Sequence, residues 1–209
     1  MHSIKNFAVI VAGGKGLRMA SKTKKQYLCL NGVPILSHAL KVFEQSNQIH
    51  EIILVIPKGD TEYCKEHIID SSGFTKKIKL VEGGATRQES VLNGLKQLNT
   101  RTNLSNETIV LIHDGVRPFV DNKIIENCIT NAFKYGACIP AINITDTVKQ
   151  VRSDLSIQKT LNRELLYTAQ TPQAFKLELI IHAYEHALKS AFVGTCLYTH
   201  LTLPTNREV

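Results

Sequence analysis

Five short apolar runs, at 7–12, 52–56, 78–81, 109–112 and 137–142, constrain this chain more than any other feature. They read as near-continuous apolar segments rather than polar–apolar alternation, the pattern of strands covered on both faces. Amphipathic segments separate them. Pro34 opens one helix with Ile35, Leu36, Ala39, Leu40 and Phe43 on its inner face. Thr86 and Glu89 form a capping box ahead of Val91, Leu92, Leu95 and Leu98. Asp121 caps a third helix with the stripe Ile124, Ile125, Cys128, Ile129, Ala132 and Phe133. Strand–helix alternation of this kind predicts an α/β fold with a doubly wound, mostly parallel sheet. Residues 144–163 break the rhythm. Thr147, Val148 and Val151 suggest a strand, Arg152-Ser153-Asp154 a turn and 157–161 a return strand, together a β-hairpin arm.

Doubly wound sheets bind ligands beyond the carboxyl ends of their strands. Three motifs fall there: Ala12-Gly13-Gly14-Lys15-Gly16-Leu17-Arg18-Met19 after the first run, Gly83-Gly84 after the third, and Asp114 after the fourth. Glycines let a ligand approach the backbone, and successive N–H groups can cradle phosphate oxygens. Lys15, Arg18 and Lys25 add positive charge. The stretch is not a P-loop, and Met19 stands where a dinucleotide fingerprint needs its third glycine. Taken alone, such a loop is also an ordinary turn; the clustered cations favour a nucleotide site.

Five collinear motifs sharpen this. They are Ala-Gly-Gly-x-Gly-x-Arg-Met at 12–19 with Lys25-Gln26-Tyr27, Glu82-Gly83-Gly84-Ala85-Thr86-Arg87-Gln88-Glu89-Ser90-Val91, His113-Asp114-Gly115-Val116-Arg117-Pro118-Phe119, Thr145-Asp146-Thr147-Val148-Lys149, and Gln170-Thr171-Pro172-Gln173-Ala174-Phe175. The first resembles the signature of sugar-phosphate nucleotidyltransferases. The set resembles the 2-C-methyl-D-erythritol 4-phosphate cytidylyltransferase family, over about residues 7–195.

The resemblance implies a Rossmann-like nucleotidyltransferase that moves CMP from CTP onto a sugar phosphate and releases pyrophosphate. Its substrates are anionic, so the chemistry rests on positioning and charge neutralisation. Arg18 and Lys25 match the family's catalytic cations. Ala12, Gly13, Gly14, Lys15 and Gly16 match the nucleotide loop, with Lys15 a candidate for the outer phosphates. Gly84, Ala85 and Ser90 match positions that read cytosine. Arg117, Thr147 and Arg163 match the sugar-phosphate contacts, although Arg117 could instead brace its loop by pairing with a carboxylate. Asp114 matches a carboxylate for Mg²⁺ or another divalent cation, and Asp-Gly is also a common turn pair. In the resembled family the arm packs on a second subunit and completes its site, so a homodimer is expected.

Two departures from the family pattern stand out. Lys24 replaces the usual proline before Lys25, which is expected to loosen the loop and to add a cation beside the phosphates. Residues 196–209 do not continue the pattern, which calls for a final strand–helix segment with an Asn-x-Lys motif. They are expected to be a non-native tail after a single domain of 1–195. Two alternatives to the methylerythritol reading stay open at this point: a ribitol-5-phosphate cytidylyltransferase, and a nucleotide-binding domain without turnover.

Composition adds exclusions. A net charge of +7 suits acidic small substrates or a basic solvated surface. No basic run or zinc-finger pattern indicates nucleic acid, and no apolar run is long enough for a membrane. Cys29, Cys64, Cys128, Cys138 and Cys196 form no close pair, as expected of reduced thiols in a cytoplasmic protein. The first strand begins within a few residues of Met1, so no signal peptide is expected. His182 and His186 have zinc-compatible helical spacing but no third ligand, and read as a solvated face.

Overall fold

The computed structural model describes residues 4–14, 23–99 and 104–189. In chain order it contains β1 (Phe7–Val11), a 3-10 turn (Lys25–Tyr27), β2 (Cys29–Leu30), β3 (Val33–Pro34), α1 (Ile35–Gln45), β4 (Glu51–Ile56), α2 (Thr61–Cys64), β5 (Lys77–Glu82), α3 (Arg87–Asn99), β6 (Ile109–Asp114) and α4 (Asn122–Tyr135). There follow β7 (Ala137–Cys138), β8 (Ala141–Asn143), β9 (Lys149–Val151), β10 (Ile157–Thr160), β11 (Tyr167–Ala169), β12 (Gln173–Lys176) and α5 (Leu177–Lys189).

Six strands form the main sheet in the order β5-β4-β1-β6-β12-β7. The first four are parallel, and β12 runs antiparallel to both neighbours. Alternate residues of β1 feed two cores. Ala8 and Ile10 pack with Leu36, Leu40 and Phe43 of α1 and Ile125 and Ala132 of α4. Phe7 and Val9 pack with Val91 and Leu95 of α3 and Ile180 and Tyr184 of α5. Each buried Val, Leu, Ile or Phe among them contributes about 1.5–3 kcal/mol, so the continuous apolar runs are explained by helices on both faces.

The chain order reverses across β1: β4 lies on one side and β6 on the other. Val11 is paired with Asp114 in the β1–β6 register, so the two strand ends meet at one carboxyl edge. This is the switch point at which open α/β sheets bind ligands.

Several expectations need correction. The run 137–142 is not one strand. Pro140 has no N–H for the ladder, and the chain leaves the main sheet there, giving β7 inside it and β8 outside. The arm is therefore longer than 144–163: it starts at β8 and ends at β11, with β8 paired to β11 and β9 to β10. Thr147 and Val148 precede β9 rather than lying in it. β5 is an edge strand, and its Lys77 and Lys79 are exposed. On α4 the buried stripe is narrower than expected. Phe133 is 44% exposed, with the Lys176 ammonium 5.8 Å from its ring centre.

Both helix caps form. Asp121 accepts from the Ile124 N–H at 2.8 Å. Thr86 Oγ1 accepts from the Glu89 N–H at 3.1 Å, whereas Glu89 reaches back to the Ala85 N–H at 2.7 Å, one residue beyond the expected partner. Cys29, Cys64, Cys128 and Cys138 are free thiols. His182 and His186 are exposed on α5. No described helix is long and apolar enough to cross a membrane. The expected boundary at residue 195 and the segment 196–209 lie outside the described residues.

Candidate active site

The site grows from the carboxyl ends of β1, β4, β5 and β6. Ala12 stays tied to the sheet through its N–H, which donates to the Val55 carbonyl at 2.7 Å. Gly83 makes the same kind of tie to Ile56, also at 2.7 Å. Gly13 and Gly83 lie beside each other at this edge. A Cβ on Gly83 would meet Ser90 Oγ at 2.9 Å and the Ile56 carbonyl at 3.3 Å, so the packing of this loop against Ser90 and the end of β4 depends on glycine. Buried Ser90 locks the second loop, accepting from the Gly84 N–H at 3.1 Å and donating to the Thr86 carbonyl at 2.9 Å. Gly84 lies so close to Glu89 that an added Cβ would fall 2.3 Å from the Glu89 Cβ.

Gln26 is a site-shaping residue to which the sequence assigned no role. Its buried amide donates to the Ala12 carbonyl at 2.8 Å and the Gly14 carbonyl at 3.2 Å. The adjacent Lys25 turn is thereby stapled to the glycine-rich loop. Its position in the Lys25-Gln26-Tyr27 motif was the available signal. Lys25 itself is exposed, and its side chain makes no hydrogen bond or ion pair among the described residues. The extra cation expected of Lys24 is matched instead: its ammonium sits 2.7 Å from both carboxylate oxygens of Asp60.

At the end of β6, Asp114 is held between two guanidinium groups. Arg87 donates through Nε and Nη2 to Oδ1 at 3.0 and 2.8 Å, and Arg117 through Nε to Oδ2 at 3.3 Å. Arg117 also binds Gln170 Oε1. The loop-bracing reading of Arg117 is thus realised, and Arg87 is a second site residue that the sequence reading left without a role. Beneath them His113 is fully buried. Its Nε2 must donate to the Arg117 carbonyl at 3.0 Å, since a carbonyl only accepts. Nδ1 therefore accepts from the Thr171 hydroxyl at 2.9 Å. Burial pushes the His113 pKa down to about 4, against the opposing pull of the hydrogen bond to the Arg117 carbonyl and of the Asp114 charge.

The structure brings Ala12, Gly13, Gly14, Gly84, Ala85, Ser90, Asp114 and Arg117 to one sheet edge. Thr147 and Arg163 are exposed on the arm, where Arg163 donates to the Thr145 carbonyl at 2.7 Å. Among the described residues neither bonds to that edge. Lys15, Gly16 and Arg18 lie outside the described residues. No group of three or more potential metal-ligating side chains occurs among the described residues.

Glycine loops and a carboxylate converging on the switch point of a doubly wound sheet define a nucleotide-binding α/β protein of the nucleotidyltransferase kind. Comparison with known proteins gives the particular family. Residues 6–196 match the family model described as IspD: 2-C-methyl-D-erythritol 4-phosphate cytidylyltransferase, and the chain belongs to that family. A relative of that name from Alkaliphilus oremlandii is 44% identical over 182 residues, covering 87% of this chain and 75% of the relative. Another from Clostridium novyi is 43% identical, covering 88% and 78%. Among solved structures, the 4-diphosphocytidyl-2C-methyl-D-erythritol synthase of Anaerococcus prevotii is similar with a TM-score of 0.81 and 34% identity, covering 94% of this chain and 81% of that one. The chain is accordingly a cytidylyltransferase of the Rossmann-like nucleotidyltransferase fold.

Proposed function

We propose that this chain transfers the cytidylyl group of CTP to 2-C-methyl-D-erythritol 4-phosphate. A phosphate oxygen of the sugar phosphate attacks the α-phosphorus. The bond to the bridging oxygen breaks, and pyrophosphate leaves with that electron pair. The observation that carries the reading is the meeting of two glycine loops and Asp114 at one sheet edge, in a chain 44% identical to a relative bearing that enzyme's name.

Arg18 and Lys25 stabilise the charge that builds on the α-phosphate, and Lys15 takes the outer phosphates. Ala12, Gly13, Gly14 and Gly16 form the phosphate-facing loop. Gly84, Ala85 and Ser90 shape the cytosine pocket. Arg117, Thr147 and Arg163 take the sugar phosphate. Asp114 offers a hard carboxylate at the ligand edge, which fits Mg²⁺ completed by substrate oxygens. Bound there, the ion would neutralise phosphate charge. Arg87 and Arg117 donate three hydrogen bonds to Asp114, two to Oδ1 and one to Oδ2, which leaves Oδ2 a lone pair for the ion.

The second substrate contact comes from a dimer. The arm exposes Ile142, Val151, Leu155, Ile157, Leu165 and Tyr167, an apolar surface suited to a second copy of the chain. Four described cysteines without a disulfide support a cytoplasmic setting.

The test is pyrophosphate release from CTP with methylerythritol phosphate or ribitol 5-phosphate, and from the other nucleoside triphosphates. CTP with methylerythritol phosphate should dominate. Preference for ribitol phosphate, or nucleotide binding without release, would overturn the proposal. Arg18→Ala and Lys25→Ala should each lower turnover about a hundred- to thousandfold, as expected for one lost preorganised charge.

A further inference from the structure

Asp60 occupies the N-cap position of α2, where an aspartate ordinarily accepts a hydrogen bond from its own helix. It makes no such bond. Its carboxylate turns instead to the segment around Lys25. Lys24 Nζ donates to both oxygens at 2.7 Å, and the Tyr27 hydroxyl donates to Oδ2 at 2.8 Å. The Asp60 side chain is only 15% exposed. Tyr27 is buried, and its hydroxyl also lies 3.2 Å from the Cys64 thiol. Lys24 and Tyr27 bracket Lys25, and the Tyr27 N–H donates to the Lys24 carbonyl at 2.9 Å to close the turn.

Lys24 holds φ −61° and ψ 142°, and this φ is the one that a proline ring would fix covalently. Its N–H donates to no group among the described residues. We infer that Asp60 is a positioning residue for the transfer reaction, and that its clamp on Lys24 and Tyr27 replaces a covalent restraint on the turn that presents Lys25. The inference rests on the proposed role of Lys25. Asp60 forgoes its own helix cap, and all three donated bonds come from the two residues that bracket Lys25, whose exposed side chain makes no hydrogen bond or ion pair among the described residues.

The test compares wild type with Lys24→Met, Lys24→Pro, Asp60→Asn and Lys25→Met. Turnover and KM for CTP are measured for each, with urea unfolding and amide hydrogen exchange over residues 24–28 of the free protein. Lys24→Met should lower kcat about ten- to a hundredfold, the scale of a reacting group misplaced by about 1 Å, with KM for CTP changed much less. It should also speed exchange at Tyr27 and Leu28. Asp60→Asn should lose about as much, since an amide can still accept from Tyr27 but lacks the charge that holds the Lys24 ammonium. Lys24→Pro should regain most of the kcat and exchange protection that Lys24→Met loses, because the ring restores the dihedral without the charge. A merely structural bond would instead lower the urea midpoint and leave kcat alone. Wild-type exchange and turnover in Lys24→Met, or a Lys24→Pro as defective as Lys24→Met, would overturn the inference. Full turnover in Lys25→Met would sink the role of Lys25, and the exchange data would still decide whether the clamp orders the turn.

Discussion

Acid should unfold this protein partly through one residue, His113. Its ring is buried and neutral, donating to the Arg117 carbonyl and accepting from Thr171. The folded pKa is about 4, against 6.5 in the unfolded chain. Between those values the unfolded state takes up a proton that the folded state refuses, so stability falls as pH falls from about 6.5 to about 4. Above that window both states are neutral, and below it both are charged, so the contribution is flat. The 2.5-unit difference between the two values corresponds to about 3 kcal/mol over the full window. At pH 4.5 about 2.5 kcal/mol of this is already lost. With a urea slope of about 2 kcal/mol/M, the midpoint should fall by about 1 M between pH 7 and pH 4.5. His113→Gln keeps an amide donor for the Arg117 carbonyl but cannot titrate. The assay is urea unfolding of both proteins at the two pH values, because carboxylates titrate in both and cancel in the difference. Equal pH sensitivity in wild type and His113→Gln would refute the reasoning.

Other predictions concern packing, metal and assembly. Gly94→Ala should cost about 1–3 kcal/mol in overpacking, for a net destabilisation of about 0–2 kcal/mol, because the new Cβ meets Val9 Cγ1 at 2.6 Å and Val55 Cγ2 at 3.1 Å. The ~1 kcal/mol that alanine adds in helix propensity is smaller, so a stabilised variant in urea unfolding would contradict the packing argument. Asp114→Asn should demand much more Mg²⁺ for half-maximal turnover, since an amide lacks the charge a hard cation prefers; superimposable metal titrations would leave Asp114 a partner of Arg87 and Arg117 alone. Arg163→Ala should raise KM for the sugar phosphate more than for CTP. Mixing Arg18→Ala with Arg163→Ala subunits should restore activity, because one of the two hybrid sites then carries both intact residues. Verified subunit exchange with no gain would place the arm over its own subunit.

The two-faced sheet, the helix caps and the glycine loops were all legible from residue pattern, because each depends on neighbours close in sequence. Continuous apolar runs need cover on both faces. Thr86 and Asp121 find their N–H partners three residues on. Gly13 and Gly84 lie just past the ends of β1 and β5, and Asp114 is the last residue of β6. Tertiary structure decided what depends on partners distant in the chain. β12 enters the main sheet antiparallel between β6 and β7, and Pro140 divides one apolar run between two sheets. Arg87 meets Asp114 across 27 residues, and Lys24 meets Asp60 across 36. Nothing in the local sequence distinguishes these pairs from solvated surface charges. Only the convergence of strand ends brings them within hydrogen-bonding distance, which is why Lys24, read as a free cation, turned out to be one half of an ion pair.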